Sequence, residues 1–486
     1  MKERPNVLLI MSDQHNPHVF GCVGDPIVRT PHLNRLAAQG IRFTSTYCAS
    51  PLCVPSRMSF LTSRHPSDIG VWSNACMLPS DLPTFAHGLG AAGYETVLGG
   101  RMHFVGPDQR HGVERRLVGD VLSSFPGGRS PDLGHIPTGT TGQSRIAVEI
   151  AGPGRTAYQA YDVAVTDACC RYLKERDRST DPRPFCLVVG FVLPHCPFIC
   201  PKDLYEEYFD QIEIPALPPG YLDRLHPAVR QWRERRGVNN LSDEQIRRAR
   251  AAYYGLVTYM DQLIGQLIEA LSTTHFSEDT VIVYTSDHGD MAGEHGMWWK
   301  SNFYEGSAGV PMIWSWPGHF AEGKTVSEVT SLLDIGPTLL HLGGAEPLPD
   351  IVGKSLIGFL TDASVPDWPD EAFSENYGGQ GDRPGRMIRH GPWKLNLYHG
   401  YETPQLFNLR EDPDEFEDRA NDPECAEIRQ HLLDRVLSGW SGDRIEQTLE
   451  RRRRARNVLV NWTQAVQPAD PDFWEAPPGC NVFPEE

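Results

Sequence analysis

Four apolar runs punctuate the chain, and each stops abruptly at polar residues. Val7-Leu8-Leu9-Ile10-Met11 stops at Ser12-Asp13-Gln14, and Tyr94-Glu95-Thr96-Val97-Leu98 stops at Gly99-Gly100-Arg101-Met102-His103. Phe185–Val192 stops at Leu193-Pro194-His195, and Val281-Ile282-Val283-Tyr284 stops at Ser286-Asp287-His288-Gly289-Asp290. Runs of this length without polar alternation fit parallel strands covered on both faces. Between them the period changes to that of a helix. Tyr253, Val257, Met260, Leu263 and Leu267 mark a long amphipathic helix opened by a Ser242/Gln245 capping box. Thr30–Gly40 predicts a shorter helix, with Thr30 as N-cap, Pro31 at the first position and Gly40 as the stop. The alternation predicts an α/β fold with a doubly wound, mostly parallel sheet.

Past about residue 370 the pattern shortens. Met387–Leu397 predicts a hairpin, Gln405-Leu406-Phe407 a further strand and Ile428–Leu437 a helix. The expected organisation is a catalytic α/β domain over 1–370 and a smaller α+β subdomain with an extended tail over 371–486. Residues 123–144, rich in Gly, Pro and Ser, predict a loop or lid near the site.

The chain has 486 residues and a formal net charge of −18, which argues against binding to nucleic acid or anionic membrane. The apolar segment after Met1–Asn6 is too short for a signal sequence or a membrane span, so a cytoplasmic location is expected. The 11 cysteines follow no disulfide or zinc spacing, and His195-Cys196 with Cys200 reads as buried thiols in a loop. The run Arg451-Arg452-Arg453-Arg454-Ala455-Arg456 reads as a solvated helix face or subunit contact. The tail Pro468–Glu486, with Trp474 and Phe483, reads as a segment packing on a neighbouring subunit of a homo-oligomer.

In parallel sheets ligands bind beyond the carboxyl ends of the strands, which is where these runs place their polar residues. Asp13, Gln14, Asp287 and His288 offer three oxygens and one imidazole, a set suited to one divalent cation: Ca²⁺, Mn²⁺ or Mg²⁺. Cys53-Val54-Pro55-Ser56-Arg57 opens another predicted helix, with Pro55 and Ser56 suited to its first turn. A side chain there faces unpaired N–H groups that favour an anion, although a buried structural cysteine beside a proline turn would read the same way. Trp72, Trp298 and Trp299 stand near these residues and could form an aromatic wall or belong to the core.

The Cys-x-Pro-x-Arg pentapeptide resembles the maturation signal of type I sulfatases, and the chain is similar to that family within the alkaline phosphatase superfamily. Asp13-Gln14 paired with Asp287-His288, the stretch Gly100–Gln109 and Phe303–Ala308 resemble the choline-sulfatase and phosphonate monoester hydrolase branch. The resemblance implies an alkaline phosphatase-like fold and a hydrolase of small alkyl or aryl sulfate esters. Phosphonate monoester or phosphodiester hydrolysis at the same site is the alternative. It implies that a formylglycine-generating enzyme oxidises Cys53 to formylglycine, which binds the metal and serves as nucleophile towards a small anionic ester. Arg57 would hold that group, His195 and Lys300 would bind the ester oxygens, and His103 would take a proton from residue 53.

Three positions depart from the family pattern. Arg101 stands where lysine is usual, which leaves it an electrostatic role. Gly309 replaces an arginine of choline-sulfatase-like sequences, which puts choline-O-sulfate in doubt. Ser63 replaces the glycine that usually ends the maturation motif.

Overall fold

The computed structural model describes residues 4–377 and 382–482. Its central sheet has eight strands, ordered Lys324–Val326, Ile41–Phe43, Met312–Ser315, Thr280–Ser286, Asn6–Asp13, Phe185–Pro194, Glu95–Gly100 and Arg115–Val118. The four apolar runs are the four neighbouring inner strands, all parallel. Met312–Ser315 runs against both of its neighbours.

Alternate side chains of these strands enter two different cores, as the two-residue period requires. Leu8 and Ile10 join the helices Ala157–Asp177 and Asp243–Ser272 on one face. Val7, Leu9 and Met11 join Cys53–Thr62, Phe85–Ala91 and Ile335–Gly343 on the other. Burying each such side chain is worth about 1.5–3 kcal/mol, which is why the runs tolerate no polar interruption.

The long helix starts as its sequence requires: Gln245 N donates to Ser242 Oγ at 3.2 Å, and Ser242 N donates to Gln245 Oε1 at 2.9 Å. The short helix Pro31–Ala38 departs from expectation at both ends. Its first amides, His32 N and Leu33 N, donate to the Asp261 carboxylate at 3.1 and 2.9 Å, while Thr30 Oγ1 accepts from Gly21 N instead. A carboxylate on the neighbouring helix is the stronger acceptor, so it displaces the local cap. Gly40 is needed for close approach rather than for a left-handed turn. A Cβ there would lie 2.2 Å from the Trp314 carbonyl oxygen.

Every residue of the helix Cys53–Thr62 is buried, and Ser63 ends it at φ 54°, ψ 36°. That left-handed conformation costs an L-residue about 1–2 kcal/mol, which glycine avoids. The Ser63 hydroxyl is also buried without a hydrogen-bond partner. Ser63→Gly is therefore expected to stabilise the protein by about 1 kcal/mol, read as a higher urea midpoint at unchanged slope.

Residues from Glu371 onward form the antiparallel sheet Glu371–Asn376, Gly385–His390, Trp393–Tyr398 and Gln405–Asn408, with Ala426–Leu437 packed on it through Leu432 and Val436. A long helix, Gly442–Val466, then runs back over the larger body, where Trp72 packs with Trp440 and Ile445. The tail packs on its own chain. Asp120 N donates to the Asp472 carbonyl at 2.8 Å, Trp474 N donates to the Asp120 carbonyl at 2.8 Å, and the Trp474 ring meets Tyr161 edge-on. Asp470 accepts from Ser123 and Ser124, which ties the tail to the Gly/Pro/Ser-rich loop. Phe483 lies outside the described residues. Among the described residues no helix is long and apolar enough to cross a membrane.

Candidate active site

The carboxyl ends of the four inner strands converge on Cys53, the first residue of its helix. Asp13 ends one strand and Asp287 follows the next, while Arg101 with His103 and His195 follow the other two. Ligand atoms of Asp13, Cys53, Asp287 and His288 all lie within 4.8 Å of one another, and all four residues are buried.

The imidazole of His288 is oriented by the backbone. Its Nδ1 sits 3.0 Å from the Gly289 carbonyl, which can only accept, so Nδ1 carries the proton. Nε2 therefore presents a lone pair inward, 3.3 Å from Cys53 Sγ, 3.5 Å from Asp287 Oδ1 and 3.6 Å from Asp13 Oδ1. Two carboxylates, one imidazole and residue 53 form a donor set that fits a divalent cation with mostly hard ligands. Gln14 adds an amide oxygen at the rim. Its Oε1 accepts from Lys300 Nζ at 2.7 Å and its Nε2 donates to Asp290 Oδ2 at 2.5 Å.

Arg57 and Arg101 hold the two carboxylates. Arg57 donates from Nε to Asp287 Oδ2 at 2.7 Å and from Nη2 to Asp13 Oδ2 at 3.2 Å. Arg101 donates from Nε to Asp13 Oδ2 at 2.7 Å and from Nη1 to Asp120 Oδ1 at 3.3 Å. Burial works against ionisation of Asp13, yet Arg101, His195 and Lys300 hold it well below the ordinary carboxylate range. Burial prevails at Asp287, which is raised despite Arg57.

Three further groups face Cys53. Lys300 Nζ lies 3.1 Å from Sγ. Burial lowers the Lys300 ammonium's pKa, but Cys53, Asp13 and Asp287 raise it further and keep the group charged. His195 donates from Nδ1 to the Cys196 carbonyl at 2.7 Å. Burial and Lys300 depress it, but Cys196 and Asp13 hold it up at about 10. His103 Nδ1 is 2.9 Å from Arg101 Nη2. A guanidinium only donates, so Nδ1 accepts and Nε2 is the N–H of the neutral ring. Burial opposes ionisation of Cys53, but the Lys300 ammonium beside it holds its thiol well below the ordinary range.

Asp13, Gln14, Cys53, Arg57, Arg101, His103, His195, Asp287, His288 and Lys300, singled out in the sequence, thus gather at one place. The sequence reading missed two that hold them there. Asp290 accepts from Gln14 Nε2 and from the amides of Ala292 and Trp299, and so fixes Gln14. Asp120 accepts from Arg101 and from His103 N at 2.8 Å. Asp290 stood in view at the end of a strand motif, while Asp120 follows a short edge strand with no apolar run to mark it.

The aromatic wall does not form. Trp298 and Trp299 are 1% and 0% exposed, packed near Phe198 and Trp232, and Trp72 belongs to the contact with Trp440. Each ring has more apolar surface to bury than a pocket rim can cover, so all three go to the interior. At Gly309 a Cβ would lie 2.7 Å from the Glu305 carbonyl and 3.1 Å from Pro17 Cγ, which closes the position to a longer side chain.

The sulfatase family model matches residues 5–345, and the model for the C-terminal region of N-sulphoglucosamine sulphohydrolase matches residues 293–439. The choline-sulfatase of Rhizobium meliloti (strain 1021) is 36% identical over 86% of this chain and 83% of its own length. The arylsulfatase K of Danio rerio is 28% identical over 90% of this chain and 84% of its own. The phosphonate monoester hydrolase of Silicibacter pomeroyi superposes with a TM-score of 0.73 at 26% identity, covering 90% of this chain and 95% of that one. That of Agrobacterium radiobacter, at 24% identity and a TM-score of 0.74 over 90% and 95% of the two chains, shares the fold. A family match over most of the chain, joined by a relative of this identity, makes the chain a member of the sulfatase family and a sulfuric-ester hydrolase.

Proposed function

We propose that the chain hydrolyses a small alkyl or aryl sulfate ester through residue 53, matured from cysteine to formylglycine, beside one divalent cation held by Asp13, Gln14, Asp287 and His288. The observation that carries this reading is the convergence of three buried donor residues, Asp13, Asp287 and His288, on Cys53, the first residue of a helix, with all four ligand atoms within 4.8 Å of one another. A cation in that set would lower the pKa of an oxygen nucleophile and take up charge on the ester. Arg57 and Arg101 hold the carboxylates open towards it. Lys300 and His195 bind the non-bridging oxygens of the ester, and His195 donates to the leaving oxygen. His103 donates a hydrogen bond from its Nε2 N–H to residue 53 and so orients its oxygen. Arg101, always charged, orients His103 and transfers no proton itself.

The same proposal divides the chain near residue 370, where the antiparallel sheet begins at Glu371. It also places the protein in a reducing compartment, supported by eleven free cysteines among the described residues. Self-association is supported by the exposure of Val458, Trp462 and Val466 on the last helix.

Peptide mass spectrometry across Ser50–Arg57, on protein co-produced aerobically with a formylglycine-generating enzyme, is expected to show an aldehyde or its hydrate at residue 53. An intact thiol in folded, metal-loaded protein would overturn the maturation step. Phosphonate monoester hydrolysis is a second reading, favoured by the likeness to the Silicibacter pomeroyi enzyme. An aryl sulfate is expected to exceed the matching aryl phosphonate in kcat/KM by at least tenfold, about 1.4 kcal/mol in the barrier. The reverse order would transfer the assignment.

A further inference from the structure

A cavity of about 1070 Å³ opens above Cys53, with Gln14, His195 and Lys300 at its floor. One side of it is the helix Gly442–Val466, which presents Leu449, Arg452, Arg453, Arg456 and Leu459. These positions recur at helical spacing, so they share one face. Arg456 also lines a smaller adjoining cavity, of about 150 Å³, that reaches His103. The helix lies beyond the residues matched by either family model.

The charges on this face do not all cancel. Arg453 pairs with Glu450 at 2.9 Å. Glu446 stands with His399 and Asp443 at the near end of the helix. Arg452 donates to the Gly70 carbonyl and lies 5.6 Å from the centre of the Trp72 ring, which orients its guanidinium without neutralising it. Arg456 has no hydrogen-bond or ion-pair partner among the described residues. Glu446 also lines the cavity, so the helix brings one guanidinium more than it brings carboxylates to the mouth, beside Lys300 on the floor, and that favours an anion locally. None of the three tryptophans singled out above lines the cavity, and Tyr377 is the one aromatic residue that does among the described residues.

We propose that Arg456, with Arg452 beside it, forms an anion subsite, so that the preferred sulfate ester carries a second negative group, a carboxylate or another sulfate, on its alcohol part. This inference rests on the hydrolase reading and names its substrate class. Arg456 recognises the remote group by a charge-assisted hydrogen bond, while the scissile sulfate sits against Lys300 and His195.

The test compares para-carboxyphenyl sulfate with phenyl sulfate on the matured full-length protein. The ratio of their kcat/KM values is expected to be about ten, to fall to about one in Arg456→Gln and to recover in part in Arg456→Lys. Calorimetry on protein that keeps the Cys53 thiol gives a readout independent of turnover. There para-sulfobenzoate is expected to bind about tenfold more tightly than benzenesulfonate, with the difference lost in Arg456→Gln. An equal ratio in parent and variant, or a parent with no preference, overturns the subsite while leaving the hydrolase intact. Turnover of neither ester, with tight binding of neither sulfonate, overturns the hydrolase reading along with it.

Discussion

Protein carrying Cys53→Ala is expected to hydrolyse an aryl sulfate roughly ten-thousandfold more slowly than the matured parent, the scale at which losing a nucleophile is felt. The side chain removed is small and the helix around it is buried throughout, so unfolding should move by no more than about 2 kcal/mol. Lost activity would then report chemistry rather than collapse. Cys53→Ser is the sharper variant. It leaves one hydroxyl in reach of Lys300, His103 and His195 but no means of expelling sulfate from it. One turnover per chain at most is expected, and the product is a peptide that carries sulfate at residue 53. Multiple turnovers by Cys53→Ser, or activity surviving in Cys53→Ala, would remove residue 53 from the chemistry.

The second large effect lies away from the cavity. Lys394, fully buried on the antiparallel sheet, reaches Glu305 Oε1 at 2.7 Å and Glu415 Oε1 at 2.8 Å. Tyr47 donates to the other oxygen of Glu305 at 2.9 Å, and Glu305 N donates to Glu415 Oε2 at 2.7 Å. Burial pushes Glu415 up to about 7 even with the ammonium present. Lys394→Met strands two carboxylates in a low-dielectric contact between the smaller sheet and the larger body, and is expected to cost about 3–5 kcal/mol. Denaturant unfolding measures it. Adding Glu415→Gln should return part of the loss, because one stranded charge disappears. A loss below about 1 kcal/mol would mean that water reaches the cluster.

Much of the site was legible because the four inner strands are uninterrupted apolar runs, and their ends mark the rim of a parallel sheet. Asp13, Arg101, His195 and Asp287 each follow such a run directly, so position along the chain stood in for position in space. The Cys53 pentapeptide added a fifth point through its motif. Asp120 escaped because Arg115–Val118 is a partly exposed edge strand with charged residues, which carries no burial signal. Arg456 escaped for a different reason. Helical period shows that residues 442–466 share faces, but not which body the helix docks against, and that contact depends on Trp72 and Trp440, far apart in sequence. The tryptophans misled because nearness in sequence to catalytic residues says nothing about which side of a loop a ring will bury.

The depth of residue 53 sets a schedule. Cys53 is 1% exposed in the folded chain, so the maturation proposed above would require an oxidising enzyme to arrive before the site closes. Closure needs Asp287, His288 and Lys300, which leave the ribosome more than two hundred residues after Arg57. At typical synthesis rates of about 5–20 residues per second, that delay is on the order of ten to fifty seconds. On the proposed maturation, the fraction of active molecules would be decided by a race between that enzyme and the closing of the fold. Slower translation between codons 57 and 287 should raise specific activity without altering a single amino acid.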